Sequence, residues 1–198
     1  KKAPKRKEYK DEFSEYEVYH GTRDDIREFN LDHPNRKDSG WLGTGVYTNT
    51  DPRIASAYST LKRGDVGSNV MPLRARLENP YHATQAEKNR LMTISNNQGA
   101  EAGREAADAW TAELKQKGHD GVILSSGKEG HREVVVFDPK NIRSKFAQFD
   151  PAKRGSADIL AATGGGVSSL NGIARNMTRY AYGGGVGSMN EIARSMSV

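Results

Sequence analysis

Four residues of this sequence have the type and place to do chemistry. His20 follows Val18-Tyr19, Tyr47 follows Gly43-Thr44-Gly45-Val46, Tyr58 stands eleven residues later, and Glu133 opens the run Glu133-Val134-Val135-Val136-Phe137. The alternation of a strand puts His131, Glu133, Val135 and Phe137 on one face and Arg132, Val134 and Val136 on the other, so Glu133 shares a face with apolar side chains. A carboxylate placed this way either sits at the wet end of its strand, as most lone acids do, or projects into a cleft. In a cleft, a fixed negative charge can stabilise a developing positive one. Taken singly, His20 reads as a hydrogen-bonded structural histidine, and Tyr47 and Tyr58 read as core aromatics.

Other chemistries are excluded by what is missing. The sequence contains no cysteine, which rules out disulfides, thiolate zinc sites, iron–sulfur clusters and thiol nucleophiles, and fits a reducing compartment. There is no Gly-x-Ser-x-Gly elbow and no His-Glu-x-x-His. Gly43-Thr44-Gly45-Val46-Tyr47-Thr48 fails the dinucleotide fingerprint, because Thr48 stands where the third glycine belongs. His20, His33, His82, His119 and His131 show no ligand spacing, so no metal is expected.

The elements that must position these residues are short and mixed. Glu17–His20 reads as a strand ending at Gly21, and Gly45–Thr48 as a second. Asp51-Pro52 opens a helix running to about Leu61, with aspartate capping the free amides and proline at the first turn losing no hydrogen bond. Val70–Leu77 reads as a strand stopped by Asn79-Pro80. Helices are expected over Thr84–Ser95 and over Ala100–Lys117. The second has Ala106, Ala109, Trp110 and Leu114 on one face and Gly118 as its stop. Strands Gly121–Ser125 and Arg132–Phe137 follow, the latter ended by Asp138-Pro139. The order lacks a regular strand–helix–strand alternation, and an α+β domain is expected.

The 198 residues suit one domain with arms. The net charge of +5 belongs to the arm: residues 1–10 (KKAPKRKEYK) hold six Lys/Arg and one Glu, and the remainder balances 24 basic against 24 acidic groups. The high pI of 9.3 therefore reports a flexible basic arm over 1–14, a solubilising linker or a contact for nucleic acid or an acidic partner. Residues 164–177 (GGGVSSLNGIARNM) recur at 183–196 (GGGVGSMNEIARSM), too short to bury a core, and 151–198 is read as a flexible glycine-rich tail. Neither triple glycine leads into the Gly-Lys-Ser/Thr of a phosphate-binding loop. No run of about 18 apolar residues and no secretory signal is present. The start at Lys1 is read as that of a piece of a larger polypeptide.

Taken together, Tyr19-His20-Gly21-Thr22, then Gly43-Thr44-Gly45-Val46-Tyr47 with Tyr58 beyond it, then Glu133 before its valines, resemble the His-Tyr-Glu pattern of ADP-ribosyltransferases, the class of the poly(ADP-ribose) polymerases and diphtheria toxin. Glu78-Asn79-Pro80, Gly118-His119-Asp120-Gly121-Val122-Ile123 and Phe137-Asp138-Pro139 with Ile142-Arg143-Ser144 look like the transferase modules embedded in bacteriophage polyvalent polypeptides. The resemblance covers about residues 16–150. It implies a catalytic domain over 15–150 with split antiparallel β-sheets, an NAD+ cleft between them and peripheral helices.

The roles that the resemblance implies are electrostatic. The nicotinamide of NAD+ is already a cationic leaving group, so cleavage calls for stabilising an oxocarbenium-like ribose rather than for a metal. Glu133 would bond the nicotinamide-ribose 2′-hydroxyl beside the developing cation, as carboxylates do in glycoside cleavage. His20 would hold the adenosine ribose, the Gly21 backbone the nicotinamide amide, and Tyr47 and Tyr58 would sandwich the ring. Thr22 would support the turn. Eight residues after Tyr47, where the polymerases carry a serine for the amide, this chain has Ala55, with Ser56 beside it as the candidate contact.

The expected activity is transfer of ADP-ribose, with NAD+ as substrate, to a host protein, or to a nucleic acid, in the bacterial cytoplasm or the virion. Single transfer is favoured over chain building. The competing readings are an NAD+ glycohydrolase and a non-catalytic virion or docking module with a vestigial transferase fold. A monomer or part of a phage polypeptide is expected, with no membrane partner. Residues 23–40, polar and without periodicity, are read as the loop over the cleft.

Overall fold

In the computed structural model, the structure describes residues 16–32, 40–60, 69–126, 130–147, 151–153 and 155–161. The basic arm and the repeated tail segments lie outside the described residues.

Seven strands form one sheet. In chain order these are β1 (Tyr16–Thr22), β2 (Val46–Asn49), β3 (Asn69–Ala75), β4 (Tyr81–His82), β5 (Gly121–Ser126), β6 (His131–Val136) and β7 (Ile142–Ser144). Helix α1 (Pro52–Thr60) follows β2, and α2 (Gln85–Gln98) and α3 (Ala100–Gln116) lie between β4 and β5. The spatial order is β4-β5-β6-β2-β1-β3-β7, antiparallel throughout except for the parallel β4–β5 edge. This is the α+β class that the sequence indicates.

The sheet is nearly two sheets. β2 pairs with β6 over four residues and β1 with β3 over seven, but β1 and β2 meet at one pair, Tyr19 with Asn49. Continued by two residues, that antiparallel register would pair Gly21 with Tyr47. Instead the strands part there, so β1-β3-β7 and β4-β5-β6-β2 are two halves joined at a single point.

Each face carries a core. On one face Val18, Val46, Leu73, Val134, Val136 and Ile142 form a continuous apolar layer. On the other, α2 and α3 cover β5 and β6, with Leu91, Trp110 and Leu114 packed on Val122, Leu124, Val135 and Phe137. The alternation read along β6 is thus realised residue by residue. On α3 the buried residues are Gly103, Ala107, Trp110, Thr111 and Leu114. Ala109 is exposed, contrary to expectation, because the buried stripe leans toward Ala107 and Thr111.

Residues 23–32 form an irregular segment that also joins the first core: Phe29 is buried there, with Ile26 and Leu31 packed against it. Residues 33–39 of that expected loop lie outside the described residues. The fold also continues past residue 150, since Ile159 is 1% exposed in the same core and its amide donates to the Arg27 carbonyl. Arg143 fixes this extension by donating to the carbonyls of Lys153 and Ser156. Burial holds its guanidinium below the usual arginine range, although the charge of Asp158 acts in the opposite direction. β4 and β7, two and three residues long, are elements that the sequence did not announce.

Candidate functional site

His20 marks the point where the sheet splits. Its Nδ1 lies 2.7 Å from the Tyr47 carbonyl oxygen. A carbonyl only accepts, so Nδ1 carries the proton, and in the neutral ring Nε2 is the acceptor. The ring also stands edge-on to Phe29, with centroids 5.0 Å apart. His20 therefore occupies the opening between β1 and β2 and is held from two sides.

Gly21, the next residue, faces the other side of β1, where α1 packs. A Cβ on Gly21 would lie 1.8 Å from the Ala55 carbonyl oxygen and 3.1 Å from the Ser59 nitrogen. This explains why β1 runs through the glycine instead of ending at it: the residue is needed for close contact between strand and helix. Arg23 closes the same junction by donating from Nε to the Ser59 carbonyl at 2.9 Å, near the negative end of α1. Thr22 is buried, and its hydroxyl accepts from the Asp24 amide at 3.0 Å, which shapes the turn after β1. Ser56 lies on α1, where its carbonyl accepts from the Ser59 hydroxyl at 2.7 Å.

Tyr47 is fixed by its hydroxyl. It donates to the Gly43 carbonyl at 2.7 Å and accepts from the Leu42 amide at 2.8 Å. The Gly40–Gly45 turn, with Gly40 and Gly43 at positive φ, is pinned to α3 as well: the Thr44 amide donates to the Thr111 hydroxyl at 2.7 Å and the Thr44 hydroxyl to Asp108. The ring is half-buried against the helix-covered core.

Glu133 faces that same side. Register places it beside Asn49 on β2 and Leu124 on β5, and places Tyr47 beside Val135. It accepts from Lys88 Nζ of α2 at 2.5 Å, and both side chains are only 16% exposed. From α1 comes Tyr58. The residue is 56% exposed, yet its hydroxyl is held above the usual tyrosine value, first by partial burial and then by the nearby charge of Glu133. Glu133 is thus at neither a wet strand end nor a dry core, but between two helices.

The structure brings Glu133, Tyr47 and Tyr58 to one face of three adjoining elements. His20 joins them through the split rather than across the face, and Thr22 points away with it. Tyr58 is not a core aromatic: its exposure makes it a wall that a flat ligand can stack on. Among the described residues no group of three or more His, Asp or Glu side chains converges as metal ligands would, and no helix is long and apolar enough to cross a membrane.

Two residues escaped the sequence reading. Lys88 is three positions before the buried Leu91, so the helical repeat puts it on the sheet-facing side, a signal visible only once Leu91 is known to be core. Asn49, 3% exposed, accepts the Asp51 amide at 2.8 Å through Oδ1, which starts α1. Its Nδ2 has no hydrogen-bond partner among the described residues.

Residues 14–149 match the family model described as "ADP-Ribosyltransferase in polyvalent proteins". No curated protein and no solved structure matches the chain.

Proposed function

Because the chain belongs to the family of ADP-ribosyltransferases in polyvalent proteins, we propose that it takes ADP-ribose from NAD+ and transfers it once to a macromolecular acceptor, a host protein in the bacterial cytoplasm, with release of nicotinamide. The observation that carries this reading is the position of Glu133, a carboxylate withdrawn from water on the face that also presents Tyr47 and the exposed ring of Tyr58.

In the proposed reaction the bond between ribose C1′ and the nicotinamide nitrogen breaks, and its electron pair leaves with nicotinamide, which becomes neutral. The positive charge passes to the ribose. Glu133 accepts the 2′-hydroxyl of that ribose and sets a full negative charge beside the cation as it forms. An acceptor side chain then bonds to C1′ and gives its proton to solvent. Tyr58 stacks on the nicotinamide, a suitable partner because the ring is flat and cationic before cleavage and flat and neutral after it. Tyr47, with its hydroxyl already engaged, offers only its ring. His20 Nε2 accepts a ribose hydroxyl, and the Gly21 backbone holds the amide of nicotinamide. Ser56 stands next to Ala55, where a side-chain contact to the amide would otherwise be made.

The test is incubation with NAD+ labelled in its adenine portion, with and without bacterial lysate. Label appearing on macromolecules supports transfer to a host component. Free ADP-ribose alone would assign the chemistry to a glycohydrolase. Absence of both, together with failure to bind NAD+, would leave a docking module.

A further inference from the structure

The Lys88–Glu133 contact joins residues 45 positions apart and withdraws both from water. Exposed ion pairs contribute little to a fold. A largely buried one is a different object, since its attraction is less screened and a lone charge left behind is costly. Lys88 is also firmly placed. α2 begins with a capping box in which Thr84 accepts the Glu87 amide and Glu87 accepts the Thr84 amide at 2.7 Å. The other Glu87 oxygen takes the Tyr81 hydroxyl at 2.6 Å. The first turn of the helix is therefore tied to the sheet edge directly before the residue that reaches Glu133.

Among the described residues Lys88 is the hydrogen-bond partner of the Glu133 carboxylate, through Oε1. The other groups facing it are Tyr58 from α1, Asn49 and Leu124 from the flanking strands, and His131 on its own strand and face. Lys88 is thus the one permanent cation directed at this carboxylate from the described elements, and it leaves Oε2 for a ligand. Its charge opposes part of the field that Glu133 presents to a cationic ribose. What it supplies is therefore orientation, and not a stronger field.

We propose that Lys88 is a positioning residue for the reaction, holding the Glu133 carboxylate in one rotamer with its second oxygen toward the ribose. This rests on the role given to Glu133 above. The test compares the wild-type protein, Lys88→Met and Lys88→Arg in nicotinamide release from NAD+, alongside NAD+ binding and melting temperature. Lys88→Met should lose tenfold or more in kcat with KM little changed. Lys88→Arg should recover most of the rate. If Lys88→Met raises KM alone, Lys88 contacts the phosphates of NAD+ instead. If it is faster than wild type, the pair is a restraint. If the rate is unchanged, the contact is ornamental. Each of these three results would overturn the proposal while leaving the role of Glu133 intact. A wild-type protein that neither binds NAD+ nor releases nicotinamide would remove that role itself.

Discussion

The carbonyl of Ala55 on α1 occupies the space that any side chain on Gly21 would need, with 1.8 Å between that oxygen and a Cβ built on the glycine. A flexible side chain could swing away, but helix backbone cannot, so Gly21→Ala must push α1 off β1. Tyr58 rides on that helix. Overpacking of this kind costs about 1–3 kcal/mol. Chemical denaturation should show a loss in that range, and NAD+ affinity should fall with it. Wild-type stability in Gly21→Ala would mean that the helix does not sit where it is described.

Tyr47 and Tyr58 should separate cleanly. Tyr47→Phe removes the acceptor of the Leu42 amide, and Leu42 is wholly buried, so an unpaired buried N–H is left at a cost of about 1–3 kcal/mol. Its ring stays, and turnover should suffer less than stability. Tyr58→Ala removes an exposed ring and should leave the melting temperature nearly unchanged. KM for NAD+ should rise by roughly tenfold, the scale of a lost stacking contact of about 1.5 kcal/mol. Melting curves and steady-state kinetics on the two variants check both halves.

Much of this could be read in advance from periodicity. The valines of β6 divide between the two cores as a two-residue repeat requires. Asp51-Pro52 announces α1, which begins at Pro52, while the helix expected from Thr84 runs over Gln85–Gln98 with Thr84 as its cap. What stayed hidden depends on contacts distant in sequence. Gly21 looks like a strand terminator and is a strand residue, because its small size serves a helix more than thirty residues away. The segment containing Phe29 looks polar because one buried aromatic among charges gives no pattern, and Ile159 lies beyond an apparent boundary for the same reason. The Lys88 partner of Glu133 could not be found by spacing, since the pair joins a helix to a strand across the fold.

The cap of α2 predicts an acid sensitivity. Burial pushes the Glu87 carboxyl up, but the Tyr81 hydroxyl and the Thr84 amide and hydroxyl outweigh it and hold the carboxyl below its ordinary value of 4.5. A depressed folded-state value means that this stabilisation is complete above about pH 4.5 and is lost as pH falls through the lower value in the fold. The same bond, followed by burial, holds the Tyr81 hydroxyl above its ordinary value of 10.0, so its contribution fades only as pH rises beyond that. Between neutral pH and about pH 3, wild-type stability should fall more steeply than that of Glu87→Gln. Parallel urea curves for the two proteins across that range would show that the cap does not titrate.

Thr84→Ala removes the other half of the cap and should cost about 1 kcal/mol. Because Lys88 is carried by the same turn, nicotinamide release should decline alongside, by more than that stability loss alone explains. Unfolding curves and initial rates on one preparation make the comparison.

The central claim is that the Glu133 carboxylate stabilises positive charge on a ribose. It is tested most directly by nicotinamide release from NAD+ by the wild-type protein and by Glu133→Gln, an almost isosteric change that keeps hydrogen bonding and removes the charge. Release should fall by about 100-fold or more, with NAD+ binding essentially retained. Equal rates in the two proteins, or no release from a wild-type protein that binds NAD+, would contradict the account.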